Sequence, residues 1–531
     1  IDGAQSYYKV DGKPLGEKKV WLQDDYVKFL RFAQWKIQKA GKGIVAMITN
    51  NGYLDNPTFR GMRQSLMKTF DSIYILDLHG NSLKRETTPE GGPDENVFDI
   101  RQGVVIALFI KKKIAKTKTI KHEEYFGKRE DKYSLLSVEN ICFDGYTDIQ
   151  PDTPYYFYIP RETQNIQHYK KWPSLNEIFP KHVSGIVTAR DSLAINFNQR
   201  ELLRKVEMFH DEKLNNETVR VALNLSENYA WKIDHQRKEF QEVKDLRQYV
   251  KEFLYRPFDK RFIFYQSNIV FRMRSDVMYH MLEGENLSLC FMRQFSGNLP
   301  YTHVLISENM VDNRTFFSSK GIIQQAPLYL YPNKEQADIF LQEKTANISR
   351  NIMEKLAATY NFNPNPKEFI AYVYAILYSL KYREMYDAFL RIDFPRVPFA
   401  KDVNLFKGIS DLGHRLIELH LLKGFEMEYP TVKFYGQGEN AVIGRPKYDE
   451  SEYRVYINKD FYFEGVMQDV WEYQIGGYQV MKKYLKDRKG RRMDDPRHYI
   501  HIATALEKTI EIQKEIDNIY PEVEKDVIKF N

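Results

Sequence analysis

The sequence predicts an α/β fold for its first part, the second half of a doubly wound sheet, followed by an α+β region and a helical carboxy-terminal region. The first observation is a strand, loop, helix and strand pattern within residues 43–80. The second is a series of short aromatic runs broken by Pro, Asn and Gly at residues 151–332, and the third is helical periodicity from residue 347 onward. We expect domains at residues 1–125, 126–335 and 336–531.

An apolar strand at residues 44–48 opens the first pattern, and a second apolar strand follows at residues 73–78. Asp55 or Asn56 is expected to cap the helix between them. Pro57 suits the first turn of that helix, because proline has no N–H to leave unpaired there. A strand, helix and strand of this length are typical of a parallel sheet.

Two polar residues, Asn50 and Asn51, follow the first strand. Ligands of α/β sheets bind at the carboxyl ends of parallel strands, so these side chains either face a ligand or satisfy backbone groups of the loop. A third strand is predicted at residues 103–110, and the basic run at residues 111–121 is predicted to leave the sheet.

Helices are predicted around these strands and in the last third of the chain. Apolar residues recur at helical spacing over residues 26–39, after Asp24 and Asp25, which are predicted to cap that helix. Further elements are expected from the same patterns: helices at residues 128–138, 347–390, 402–422 and 493–530, and short strands at residues 428–463.

The composition limits the class of protein. The chain has 531 residues, a net charge of +6, 28% charged residues and a mean hydropathy of −0.55. It has no apolar run near the ~20 residues of a membrane helix. Only Cys142 and Cys290 are present, so we expect core cysteines in a reducing environment, with no disulfide framework and no metal site. The basic charge permits a nucleic-acid partner without proving one.

The segments GIVAMITNNGYLDNPTFRGMRQSL, IYILDLHGNS and DENVFDIRQGVVIALFIK resemble the late methyltransferase motifs of type IIG and type ISP restriction-modification proteins. This resemblance implies a Rossmann-like, γ-class domain that methylates adenine N6 in duplex DNA with S-adenosylmethionine. It also implies a bacterial or archaeal cytoplasm and no membrane. The glycine-rich donor loop and the Asn/Asp-Pro-Pro-Tyr/Phe motif of these families do not occur here. We therefore expect a carboxy-terminal half whose amino-terminal half is missing, and which cannot methylate alone.

The same resemblance suggests roles in methyl transfer for a few residues. Asp25 and Tyr26 match a motif that lines the methyl-donor pocket, although a helix cap and packing explain them equally well. Phe109 resembles the aromatic residue that stacks on an extruded base, although a strand phenylalanine is core by default. No catalytic residue is expected within this chain.

Segments later in the chain resemble the specificity region of type ISP enzymes, among them SGIVTARD, LYRPFD and WEYQIGGY. Arg261, Arg272 and Arg274 are DNA-binding candidates, because arginine binds phosphates and reads guanine with paired hydrogen bonds. Arg272 and Arg274 are one strand period apart and are predicted to point the same way. For Arg256 we favour a structural pair with Asp259.

A basic cluster at residues 482–492 follows a Gly-Gly pair and is suited to backbone phosphates, although a solvated surface is the ordinary alternative. Its DNA-binding candidates are Lys482, Lys483, Arg488, Arg491 and Arg492. The sequence has no Walker A motif, and Pro93-Asp94 is not followed by the Glu-x-Lys of a nuclease.

Two functions are therefore expected. The first is the carboxy-terminal part of a site-specific adenine-N6 DNA methyltransferase that presents a flipped adenine to S-adenosylmethionine. The alternative is a non-catalytic DNA sequence-recognition module. An α/β enzyme that does not act on DNA is a more distant possibility.

Overall fold

The computed structural model divides into two compact units, Ile1–Ile166 (unit 1) and Gln167–Asn531 (unit 2). The predicted domain limits at residues 125 and 335 stay predictions, because compactness alone does not show which segments fold independently. Cys142 lies outside the described residues. The structure describes residues 6–15, 20–82, 86, 88, 92–114, 117–137, 145–153, 155–160, 166–228, 231–295, 300–318, 321–332, 343–438 and 440–530.

A mixed sheet forms the centre of unit 1, with strand order β1-β3-β2-β4-β5. The strands predicted at residues 44–48, 73–78 and 103–110 lie side by side in it. However, β3 lies between β1 and β2 and runs antiparallel to both. The basic run predicted to leave the sheet leads instead into a further strand, β4, which pairs parallel to β2. Its strands are β1 (Gly43–Asn50), β2 (Ser72–Asp77), β3 (Val104–Lys111), β4 (Thr119–Glu124) and β5 (Thr147–Asp148).

The helices of unit 1 are α1 (Asp25–Ala40), α2 (Arg60–Thr69) and α3 (Arg129–Leu136), and these confirm the helices predicted at residues 26–39 and 128–138. Asp24 occupies the N-cap position of α1, but its side chain makes no capping hydrogen bond. The predicted aspartate cap is therefore wrong. Asn56 does cap the turn before α2, where its side chain accepts a hydrogen bond from the Thr58 N–H at 3.0 Å.

Unit 2 contains small sheets with strand orders β12-β8-β9-β7, β11-β10-β13-β6 and β14-β17-β16-β15. Cys290 is completely buried in β10, as expected of a core cysteine. The strands are β6 (Val183–Ser184), β7 (Ile195–Asn196), β8 (Val250–Arg256), β9 (Asp259–Phe264), β10 (Ser288–Met292), β11 (Val304–Ser307), β12 (Met310–Val311), β13 (Ile323–Pro327), β14 (Lys433–Gly436), β15 (Lys447–Asp449), β16 (Arg454–Tyr456) and β17 (Phe461–Glu464).

Helices dominate the last third of unit 2, as predicted. Gly413 allows two of them to approach closely, because a Cβ atom at this position would lie 1.9 Å from the Ala371 carbonyl oxygen. In the described part of the chain, no helix is both long and apolar enough to span a membrane. The main helices are α4 (Gln199–His210), α5 (Asn216–Ala222), α6 (Ile233–Phe240), α7 (Ser275–Leu282), α8 (Arg350–Tyr360), α9 (Pro366–Tyr378), α10 (Leu380–Met385), α11 (Val403–His420), α12 (Gln468–Glu472), α13 (Val480–Lys486) and α14 (Pro496–Lys525).

Candidate nucleic-acid interface

A buried carboxylate lies at the start of β9, where the β8–β9 hairpin turns. Asp259 is completely buried, and its Oδ2 accepts hydrogen bonds from Nε (3.0 Å) and Nη2 (2.7 Å) of Arg261. Its Oδ1 accepts a hydrogen bond from Nη2 of Arg488 at 2.5 Å. The predicted pair of Arg256 with Asp259 is wrong, because Arg256 pairs with Asp312 at 2.8 Å. Asp259 therefore joins the hairpin to the basic segment at residues 482–492.

The ring of Phe197 lies beside the guanidinium groups of several arginines. The ring centroid is 4.0 Å from the guanidinium carbon of Arg261, 4.9 Å from that of Arg488 and 4.2 Å from that of Arg491. Tyr255 also lies beside this group, and its ring centroid is 3.9 Å from the guanidinium carbon of Arg261. Such stacking holds a guanidinium in one orientation. Three of the sequence-predicted DNA-binding residues are thus brought together.

Lys483, on α13, adds a further cation–aromatic contact to this group of arginines and rings. Its Nζ lies 3.4 Å from the ring centroid of Phe317, which is 53% exposed, and donates a hydrogen bond to the Gly477 carbonyl at 3.0 Å. Burial lowers the pKa of Lys483 to about 8, against the opposing charge of Asp487. Arg256, over the ring of Tyr255 at 3.9 Å, also lowers this pKa. We call the following residues the cation–aromatic cluster: Phe197, Tyr255, Arg256, Arg261, Phe317, Lys483, Arg488 and Arg491.

The Gly-Gly pair before the basic segment has a packing role. The Gly477 N–H donates to the Phe316 carbonyl at 2.7 Å, and a Cβ atom on Gly476 would lie 2.6 Å from the Cβ of Phe316. Gly476 also has a φ of +61°, which favours glycine. These contacts position Lys483 next to Phe317.

Several basic side chains in and around the cluster are exposed. Among the described residues, Lys482, Lys486 and Lys489 outside the cluster and Arg491 within it form no ion pair, whereas Arg492 lies 3.7 Å from Asp494. The α4 helix contributes Lys205, whose pKa is lowered by burial and by the charge of Arg491. A surface with this excess of positive charge attracts polyanions.

The remaining arginine candidates of unit 2 lie outside the cluster. Arg272 is exposed, and its backbone N–H donates a hydrogen bond to the Val187 carbonyl at 2.9 Å. Arg274 has a left-handed φ of +61° and occupies the N-cap position just before α7. The prediction that both point the same way from one strand is wrong, because the strand pattern ends before Arg274.

The carboxyl ends of β1, β2 and β4 meet at one edge of the unit 1 sheet. Asn51 donates from Nδ2 to Asp77 Oδ1 at 3.0 Å, and Nε2 of His79 lies 3.3 Å from Glu124 Oε2. Burial lowers the pKa of His79, but its hydrogen bond to the Glu124 carboxylate and the charges of Asp77 and Glu86 outweigh this effect, so the pKa is raised. These residues line a cavity of about 160 Å³. In the described residues, no group of three or more His, Cys, Asp or Glu could hold a metal ion.

The two residues predicted to line a methyl-donor pocket lie in different environments. Asp25 is exposed and pairs with Lys28 at 2.9 Å. Tyr26 is partly buried, and its ring centroid lies 6.3 Å from that of Tyr53 and 6.4 Å from that of Phe59. Burial and the charge of Asp24 raise the pKa of Tyr26. The geometry thus favours packing for Tyr26 and a solvated position for Asp25.

Phe109 is completely buried in β3 and packs on Phe70 with ring centroids 5.3 Å apart, which favours the core role. Sequence reasoning missed Phe98, which is 45% exposed in the segment leading into β3 at the edge where β1 and β2 end. The signal that could have found it is the FDIRQ run, in which Phe98 and Ile100 alternate with the charged residues Asp99 and Arg101 just before a strand.

The model of the Type ISP C-terminal specificity domain matches residues 177–515, a range that contains the whole cation–aromatic cluster. The chain belongs to this family. No curated protein matches the chain.

Solved structures of two type ISP restriction-modification enzymes and of a DrdV–DNA complex have a similar fold. The type ISP enzyme LlaBIII bound to DNA matches with a TM-score of 0.68 and 21% identity over 93% of this chain and 34% of its own. The DrdV–DNA complex matches with a TM-score of 0.66 and 21% identity over 95% of this chain and 53% of its own. A nuclease-deletion mutant of LlaGI in complex with a DNA substrate mimic matches with a TM-score of 0.65 and 19% identity over 96% of this chain and 42% of its own. The chain therefore spans between a third and about half of these proteins.

Proposed function

We propose that this chain is the DNA-recognition part of a restriction-modification enzyme and that unit 2 holds duplex DNA on the cation–aromatic cluster. The observation that carries this proposal is the convergence of Arg261, Arg488 and Arg491 on one ring, Phe197, from distant parts of the sequence. The single carboxylate of Asp259 balances only part of this positive charge, and a polyanion would stabilise the remainder.

The cluster combines two kinds of cation with different effects on binding. Arg261 and Arg488 are held by Asp259 and by aromatic rings, so they lose little conformational freedom when they bind. Arg491 and Lys486 are exposed and supply attraction to backbone phosphates, which weakens steeply with salt. Ordered arginines beside exposed cations suit a duplex that must be held in one register.

The similar structures support the same proposal. LlaBIII, LlaGI and DrdV are each described in complex with DNA or a DNA mimic. Their likeness to this chain extends over more than nine-tenths of it, and the family match names a specificity domain. By extension, we place the chain in the cytoplasm with duplex DNA as its partner.

Fluorescence anisotropy with a labelled duplex of about 30 base pairs tests this proposal across a salt gradient. Each lost phosphate contact reduces the slope of log K against log salt by about 0.9. We expect the triple variant K486Q/K489Q/R491Q to bind more weakly and with a smaller slope than the wild type.

The matched control removes the same charges from exposed positions on α8 and α10, in the variant R350Q/K355Q/K381Q. Its slope should equal that of the wild type. Equal losses in both triple variants, or no binding by the wild type at low salt, would refute the proposed interface.

A second function, adenine-N6 methylation as part of a longer enzyme, is favoured by the free edge of unit 1. In the described sheet, β1 is bonded on one side only, and Ile44 and Ile48 on this strand are 63% and 54% exposed. An exposed apolar edge strand is suited to pairing with a further strand. We propose that a preceding half of the same protein completes this sheet and supplies the methyl-donor site, with Phe98 beside the extruded base.

The described residues of unit 1 do not fit S-adenosylmethionine by themselves. Asp25 faces solvent and Tyr26 packs into aromatic core, and the cavity of about 160 Å³ at the sheet edge is small for a ligand of this size. Pockets for such ligands measure roughly 300–1,000 Å³. We expect no transfer of a labelled methyl group to duplex DNA by this chain alone, and transfer when the completing half is added. Methylation by the chain alone would contradict this assignment.

A further inference from the structure

Arg190 lies in a tight turn next to the cation–aromatic cluster. The preceding residue, Ala189, has a left-handed φ of +60°, which non-glycine residues rarely adopt. Asp191 follows, and it accepts hydrogen bonds from the Thr188 hydroxyl and, at 3.1 Å, from the Tyr255 hydroxyl. Because the ring of Tyr255 stacks on Arg261, the turn is one hydrogen bond away from the cluster.

The guanidinium of Arg190 is buried without an acceptor. Arg190 is only 4% exposed, and its guanidinium carbon lies 3.7 Å from the ring centroid of Trp231. Its Nε and Nη1 atoms are enclosed and have no hydrogen-bond partner among the described residues. Burial alone lowers the pKa of Arg190 to about 10, so the group still carries its charge at neutral pH.

Arg237, in the same unit, shows how a purely structural buried arginine is satisfied. Arg237 is 6% exposed, and it donates hydrogen bonds to the carbonyl oxygens of Phe209 at 2.8 Å and Leu214 at 2.9 Å. Arg190 has no equivalent acceptors in the part of the chain that the structure describes. A buried charge without acceptors is unfavourable, and one ring face only partly compensates for its lost hydration. An anionic ligand would supply what is missing.

We propose that Arg190 is a contact to a backbone phosphate of duplex DNA and that its guanidinium is parked on Trp231 while the protein is free. Nη2 is not among the enclosed nitrogens, so it is the atom through which the guanidinium reaches the surface. A phosphate approaching there offers oxygen acceptors to Nε and Nη1 once the side chain turns away from the indole. This inference rests on the proposed DNA-binding function and adds a residue to that interface.

Two measurements on the full chain test this inference. The first is the salt dependence of duplex binding for Arg190→Met, which keeps an apolar side chain over the indole, and for Arg190→Lys, which keeps the charge. We expect the slope of log K against log salt to fall by about 0.9 for R190M. R190K should keep the wild-type slope. R350M, at a residue 92% exposed on α8, is the charge-matched control and should also keep it.

The second measurement is tryptophan emission during titration with the same duplex. Movement of the guanidinium off Trp231 should change the emission of the wild type, and this change should be absent in Trp231→Phe. It should also be absent in R190M.

The outcomes separate this inference from the function on which it rests. A lower Tm for R190M with an unchanged slope would overturn it and show a structural role like that of Arg237. If R190M fails to fold, equal emission changes in the wild type and W231F would still overturn it. Failure of the wild type to bind the duplex would refute the proposed function as well.

Discussion

The buried carboxylate of Asp259 is the most direct point at which to disturb the cation–aromatic cluster. Asp259→Asn keeps the shape of the side chain and removes the charge that Arg261 and Arg488 share. Both guanidinium groups keep their positive charge in this variant. Because Asp259 is 0% exposed, the counter-ion that they lose is a buried one that water does not replace. Breaking a buried ion pair by removing one partner costs about 3–5 kcal/mol.

This loss converts into a measurable change in Tm. Unfolding entropy is about 2.1 cal/mol/K per residue, so a loss of about 4 kcal/mol lowers the Tm of a unit as long as unit 2 by about 5 °C. Differential scanning fluorimetry of the full chain measures this change. Asp460→Asn, at an exposed position, is the control and should leave the Tm unchanged. A wild-type Tm for D259N would refute the claim that Asp259 holds the cluster together.

Further predictions concern pH and packing. Burial lowers the pKa of His420 to about 3, so between pH 6.5 and 3 the unfolded chain binds a proton that the folded chain does not. The free energy of unfolding should therefore fall by about 2 kcal/mol from pH 7.5 to pH 5. His420→Gln should show a smaller fall in Tm over the same pH range. Gly413→Ala should reduce the free energy of unfolding by more than about 1 kcal/mol and lower the Tm accordingly, since its Cβ would clash with the Ala371 carbonyl. Gly408→Ala, with open space around it, should not lower the Tm in this way. Because Lys483 loses its charge above pH 8, duplex affinity at constant salt should be lower at pH 9 than at pH 7, and Lys483→Arg should remove that difference.

Strand positions in unit 1 could be predicted from the sequence, but their directions could not. Apolar runs mark β1, β2 and β3, since buried strands exclude polar side chains. The same runs are compatible with either chain direction, so the reversal of β3 between β1 and β2 left no local signal. The β4 strand could not be predicted in this way because its residues, TIKHEE, are mostly polar.

The candidate site was predicted in part. Arg261, Arg488 and Arg491 stood out from the sequence as cations in an aromatic context, but their meeting at Phe197 depends on tertiary contacts that no local pattern specifies. The prediction for Arg272 and Arg274 is wrong because a spacing of two residues does not by itself imply strand geometry, and Arg274 has a left-handed backbone. Arg190 lies within the SGIVTARD segment, yet its burial without acceptors is visible only in three dimensions.

Hydrogen exchange of the full chain with and without a duplex tests the central claim most directly. If the cation–aromatic cluster holds DNA, then residues 197–205, 255–261 and 480–492 should become protected together, in proportion to the bound fraction, and lose this protection at high salt. Protection confined to other segments of unit 2, or unchanged exchange in these segments at saturating DNA, would contradict the account.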